Sequence, residues 1–181
     1  MRFYRRLLPF HAISFDLDDT LYSNQPIMLA TEKKMLAYFA DVLSDVQLTT
    51  RPASFNFHFW WQFRQQAITQ RPELIHDVGL LRQQSYYLGA RSLGLNAAAA
   101  TLFADNALAY FVEQRSDFTL SAHTHNFLTY LKKQRPLVAI TNGNVDTDKI
   151  GLSQYFDYHF LPRLNTNQSL ILICLIKPVR R

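Results

Sequence analysis

The spacing of apolar positions changes character along the chain, and the changes divide it into elements. The run Ala12-Ile13-Ser14-Phe15 is too short for a helix and carries β-branched and aromatic residues, so it reads as a strand at about 12–16, covered on both faces. Pro26 then opens a helical pattern. Met28, Leu29, Met35, Leu36, Phe39, Ala40 and Leu43 recur three and four apart between 27 and about 48, with Glu32, Lys33 and Lys34 on the polar side. A second helical stretch, 53–70, is dense in aromatics, among them Phe55, Phe59, Trp60 and Phe63. Pro72 starts a third, which passes through Leu81 and Tyr87 and ends at Gly94, and a fourth runs from about Asn96 to Arg115. Helices joined by short turns make an antiparallel bundle, so 25–118 is expected to be one all-helical insert.

Beyond 118 the pattern changes again. Ser121 is placed to cap a helix carrying Phe127, Leu128 and Leu131, and Pro136 stops it. The apolar run at 137–140 follows as a buried strand ending in the polar turn Thr141-Asn142-Gly143-Asn144. A helical turn at 146–152 is expected to lead into a third strand at 155–160. Strands and helices alternating on both sides of a helical insert predict an α/β fold, a Rossmann-like parallel sheet with a cap. Residues 1–24 and 119–161 would form that core.

Composition narrows the classes. A chain of 181 residues, 48% hydrophobic, can bury one sizeable core, or a small core with an inserted subdomain. Its one cysteine, Cys174, excludes an internal disulfide and a cysteine-based zinc site. The net charge of +5 is concentrated at one end, where Arg163, Lys177, Arg180 and Arg181 follow Pro162 without an acid among them. The rest is close to neutral, and Arg64 is alone among the aromatics of 53–70, so no basic stripe points to nucleic acid. No stretch is apolar for long enough to span a bilayer, and the start lacks the marks of a secretory signal. The expectation is a cytoplasmic protein without a membrane partner; its oligomeric state is left open.

The chemistry concentrates where strands end. Asp16, Asp18 and Asp19 with Thr20 follow the first strand, and like charges so close repel unless they hold a cation or meet a substrate. In an open parallel sheet, ligands bind outside the carboxyl ends of the strands, so this turn and Thr141-Asn142-Gly143 should face one pocket. A carboxylate pair beside a hydroxyl, an amide and a glycine turn suits phosphoryl transfer to a carboxylate. A calcium loop of the EF-hand type would want glycine at 21 and glutamate at 27, where the chain has Leu21 and Ile27. A carboxylate pair holding a nucleotide-sugar metal and purely structural acids stand as other readings. His123 and His125 lie two apart on a helix and do not share a face, so they read as solvated.

Asp16-Leu17-Asp18-Asp19-Thr20-Leu21 resembles the first motif of the haloacid dehalogenase superfamily, and 137–143 resembles its second. The helical insert is similar to the cap of the family's first cap class. Residues 1–4, 15–22 and 137–144 look like its bacterial flavin-pathway phosphatase branch, which acts on FMN and on a ribityl-aminouracil phosphate. The resemblance implies an aspartyl phosphate on Asp16 and general acid/base work for Asp18. It also implies phosphoryl binding by Thr141 and Asn142, and Mg2+ held by Asp16 and the carbonyl of Asp18. Asp19 receives no catalytic role, and a small phosphorylated metabolite is the implied partner.

The chain departs from that pattern after Phe160, where it has no Asp or Glu, and so no acidic motif to complete a Mg2+ shell. Lys177-Pro178 stands where little chain follows and is read as a coincidental match to the family's lysine. Codons chosen for 167–176 also spell Ser-Lys-Pro-His-Ser-Asp-Met-Phe-Asn in a neighbouring frame, which resembles that lysine segment. The expectation is an atypical, out-of-frame tail at 162–181, an incomplete core and little or no turnover. The rival expectation is a binding or regulatory protein that keeps the core without turnover.

Overall fold

A computed structural model describes residues 10–50, 52 and 54–160. The expectations placed on 1–4 and 162–181, including Lys177 and Cys174, lie outside the described residues. Strand β1 (Ile13–Phe15), strand β2 (Leu137–Ile140) and strand β3 (Tyr158–Phe160) form a parallel sheet in the order β1-β2-β3. Ile13 stands opposite Leu137 and Phe15 opposite Ala139, while Ile140 stands opposite Phe160. The central strand is the best covered, with Leu137 and Ala139 fully buried, as its unbroken apolar run requires.

Between β1 and β2 come α1 (Asn24–Val42), α2 (Phe57–Gln70), α3 (Val78–Ser92), α4 (Ala97–Arg115) and α5 (Ala122–Lys132). Helix α3 packs against α2 and α4, and α1 against α4. Two apolar clusters result. One joins Phe39, Trp60, Tyr86, Phe103 and Phe111 inside the helical insert. The other joins Leu17, Leu21, Leu128, Leu137, Leu152 and Phe156 around the sheet. This is the α/β fold with a helical cap that the alternating pattern predicts. Among the described residues, no helix is long and apolar enough to cross a membrane.

Local chemistry sets the element ends, and several differ from the expected ones. Helix α1 stops at Val42, before the expected 48; the chain then turns back, and the Thr49 amide bonds to the Leu93 carbonyl at 2.9 Å. Helix α2 starts at Phe57 because Asn56 takes the cap position and accepts the Phe59 amide at 3.0 Å. The expected third helix is two elements: Pro72–His76 form a short 3-10 helix, and the Asp77 carboxylate then caps α3 through the Leu80 amide. Gly94 ends α3 at φ +99, with the Leu95 amide on the Ala90 carbonyl and its own amide on that of Arg91, a Schellman closure. Residues 146–152 form turns in place of a helix, because Asp146 bonds the amides of Asp148 and Lys149. A 3-10 helix at Ser153–Tyr155 takes the start of the expected third strand.

Candidate active site

The site lies where β1 ends and the chain crosses into the cap. Leu17 is fully buried and anchors the turn, so the flanking Asp16 and Asp18 are held at the strand end. Asp16 is exposed, and its Oδ1 accepts the Leu17 amide at 2.8 Å. Asp19 takes the left-handed conformation at φ +56, which aspartate tolerates better than most residues. Its carboxylate accepts the Asn24 amide at 2.8 Å, at the start of α1, so the third acid closes a helix end.

Asp18 is the most constrained of the three. Its Oδ1 accepts the Tyr22 hydroxyl at 2.5 Å and Nη2 of Arg115 at 2.6 Å. Its Oδ2 faces the turn after β2: a Cβ added to Gly143 would stand 3.0 Å from that oxygen and 3.2 Å from the Thr141 hydroxyl. Gly143 therefore lets the two motifs approach. Thr141 is buried and accepts the Gly143 amide through its hydroxyl oxygen at 3.0 Å, which leaves the hydroxyl proton for another acceptor. Asn142 is exposed beside it. The fold thus brings Asp18, Thr141 and Gly143 together, with Asp16 and Asn142 at the adjoining exposed edge.

Arg115 is the residue that the sequence pattern does not announce. A basic residue in the last turn of a helix ordinarily faces solvent and complements the helix dipole. Here it is only 2% exposed, because α4 returns the chain to the core beside the turn where α1 left it. The Tyr22 ring lies 4.8 Å from that of Phe118, and the Arg115 guanidinium lies 5.8 Å from the Tyr22 ring. Both crossings between cap and core therefore meet at Asp18. Burial, and next the Asp18 carboxylate, push the Tyr22 phenol well above its ordinary pKa, so it stays a hydrogen-bond donor. Nη1 of Arg115 is buried without a protein partner.

Among the described residues, no group of three or more His, Cys, Asp or Glu side chains is gathered as a metal cluster. The Asp16 carboxylate and the Asp18 carbonyl nonetheless supply hard oxygens, and Mg2+ commonly takes one or two carboxylates and completes its shell with water and phosphate. That donor set fits Mg2+. Of the two histidines expected to be solvated, His123 is exposed, whereas His125 is half-buried with Nδ1 paired with the Tyr155 hydroxyl at 2.8 Å, a partner that the helical spacing did not reveal.

A parallel sheet with acids at the carboxyl end of its first strand, a helical insert directly after them and a hydroxyl turn on the next strand defines a haloacid dehalogenase-like protein. The chain resembles members of that superfamily in both sequence and fold. It is 37% identical over 158 residues to the 5-amino-6-(5-phospho-D-ribitylamino)uracil phosphatase YigB of Escherichia coli K12, an alignment covering 87% of this chain and 64% of that protein. Among solved structures, it resembles a 2-haloacid dehalogenase from Pseudomonas syringae pv. Tomato DC3000 with a TM-score of 0.74 at 25% identity, over 85% of this chain and 64% of the other. The magnesium-bound HAD-hydrolase YfnB from Bacillus subtilis shares the fold at a TM-score of 0.50 and 16% identity, over 84% of this chain and 65% of that one. The chain thus spans a little under two thirds of the length of each. No family model matches it.

Proposed function

We propose that the chain is a phosphohydrolase core that cleaves phosphomonoesters through an aspartyl phosphate on Asp16. An Asp16 oxygen attacks phosphorus while the bond to the leaving alkoxide breaks, and Asp18 gives its proton to that oxygen. Asp18 then takes a proton from water, which attacks the aspartyl phosphate, releases inorganic phosphate and restores Asp16. The Thr141 hydroxyl and the Asn142 amide hold the transferring phosphoryl oxygens. The Asp16 carboxylate and the Asp18 carbonyl would hold Mg2+, which when bound would supply charge neutralisation for the phosphoryl group. Asp19 takes no part, consistent with its bond to the start of α1.

The observation that supports this reading best is the division of labour within one carboxylate. Oδ1 of Asp18 is clamped by Tyr22 and Arg115, while Oδ2 faces Gly143 and Thr141 at the strand end beside Asp16. A general acid/base needs this arrangement, fixed in orientation with one oxygen addressed to the reacting group. The substrate we propose is a small phosphorylated metabolite, a ribityl-aminouracil phosphate or FMN, in line with the phosphatase to which the chain is 37% identical.

The direct test reads Asp16 itself. Beryllofluoride with Mg2+ should form an acyl-phosphate mimic on Asp16, visible as a bound fluorine resonance and absent in Asp16→Asn. A bound signal that survives Asp16→Asn removes Asp16 as nucleophile. Ligand binding without any adduct would indicate a binding protein that keeps the fold.

A further inference from the structure

A groove of about 510 Å³ runs along the outside of the second crossing between cap and core. One wall is the later part of α4, with Leu108, Ala109 and Val112; the other is the turn that holds Asp146 and Lys149. Two contacts fix the walls against each other. The Asp146 amide donates to the Ser116 hydroxyl oxygen at 2.8 Å, and Nζ of Lys149 donates to the Glu113 carbonyl at 3.0 Å. None of the residues around Asp16 and Asp18 lines it.

The groove is apolar along α4 and acidic at its rim. Leu108 and Val112 are half-buried and Ala109 is exposed. Leu102, on the same face two turns before Ala109, is 62% exposed, which extends the apolar surface beyond the groove. Asp105, Glu113 and Asp146 stand exposed around it, and among the described residues none of the three is in an ion pair. The lining cation, Lys149, is engaged by a carbonyl. A matching occupant is apolar over one stretch and basic beside it.

The chain contains such a segment. Residues 170–176 are seven apolar residues in succession, Lys177, Arg180 and Arg181 follow them, and no Asp or Glu stands after Phe160. An apolar run gains from any apolar cover, whatever its reading frame. The cover is within reach. The Thr141 amide donates to the Phe160 carbonyl at 3.1 Å, and Asp146 follows five residues after Thr141, so the chain leaves the described residues near the core wall of the groove. The linking residues 161–169 span about 30 Å when extended. The α4 face from Leu102 to Glu113 is roughly 17 Å long. A tether of this length also holds the segment at an effective concentration on the order of millimolar, which a second copy of the chain does not reach in dilute solution.

We infer that residues 170–181 dock in this groove, with 170–176 on the apolar face of α4 and Lys177, Arg180 and Arg181 among its acids. The docked segment bridges cap and core from outside, away from the site at Asp18.

Cys174 is the chain's one cysteine, so a second cysteine placed in the groove reports docking as a disulfide. With oxidised glutathione, the full chain carrying Ala109→Cys should close a bond within one chain at least about tenfold faster than Thr69→Cys, an exposed position on α2 outside the groove. Gel mobility and peptide mass read the product. Leu172→Asp, and separately Asp105→Lys with Glu113→Lys, should each slow the closure by about tenfold. Glu113→Cys, on the same exposed face, provides a second trap should Ala109→Cys fail to fold. Ser14→Cys tests the competing place, the free edge of β1. Equal rates at Ala109→Cys and Thr69→Cys, a faster bond at Ser14→Cys, a bond between two chains in place of one within a chain, or a closure that neither set of variants slows would each overturn the inference.

Discussion

The cap and the core divide stability and chemistry between them. The cap is built from large rings in mutual contact, with Phe39 4.1 Å from Trp60 and 5.2 Å from Tyr86, and Trp60 6.1 Å from Phe103. Each such ring buries a large apolar area, so this region is well provided with hydrophobic stabilisation. The core has strands of three or four residues and a mainly aliphatic cluster, and Ser14 on β1 and His159 on β3 are exposed. Yet the core carries the carboxylates. The difference teaches that the cap does more than cover the site: through Arg115 it supplies the positive charge that holds Asp18.

The comparison predicts separable failures. The largest stability effect belongs in the cap. Phe39→Ala should cost about 3–5 kcal/mol, as for a fully buried aromatic, and the fraction that remains folded should still form the Asp16 adduct. A urea titration beside the fluorine signal checks both. Loss of the adduct in folded Phe39→Ala would show that cap packing and core chemistry are not separable.

Arg115→Met should come next, because it acts on both regions at once. Removing one partner of a buried ion pair strands the other charge; Asp18 keeps 23% side-chain exposure, so the cost should be about 2–4 kcal/mol, toward the lower part of the buried-pair range. Adduct turnover should fall as well, since Asp18 loses its orientation. Arg115→Lys keeps the charge but not the planar fork, so it should recover stability more than turnover. Equal recovery of both would argue that charge alone matters.

These residues also show what could be read from the chain. The helical insert was legible from apolar spacing, as was the cap at Ser121, whereas the caps at Asn56 and Asp77 set two helix starts away from where the apolar pattern put them. The convergence of Asp18 with Thr141 was legible too, since parallel strands bring their carboxyl ends together. Arg115 was not, because its burial depends on two chain crossings meeting 97 residues apart in sequence. Tyr22 had a weaker signal, four residues from Asp18, but only the fold turns its hydroxyl onto that carboxylate. The break before α3 was hidden because Pro72 opens a 3-10 turn as readily as an α-helix.

A smaller perturbation tests the approach of the two strand ends. The added methyl of Gly143→Ala would press on Asp18 Oδ2 from 3.0 Å, so the carboxylate must yield by a few tenths of an ångström. Misplacement on this scale should slow adduct turnover by about tenfold and leave cap stability unchanged. Hydrogen exchange in α2 and α3 that rose together with the loss of turnover would contradict a local effect.

The smallest effect concerns Tyr22, and its sign follows from the raised phenol pKa. A group whose pKa is higher in the folded state contributes stability that is present below its ordinary value, here 10.0, and is lost as pH rises toward the folded value. The native chain should therefore weaken progressively above about pH 10. Tyr22→Phe removes the bond to Asp18 at every pH, and solvent screening limits the loss to about 1 kcal/mol. Its urea midpoint should be lower than native at pH 8, and the gap should narrow by pH 11. A gap that stays constant across that range would mean that the Tyr22 ring packs against Phe118 and Arg115 without its hydroxyl contributing. Asp18 would then be held by the cap's arginine alone, and the junction would depend on the cap more completely than its two-donor geometry suggests.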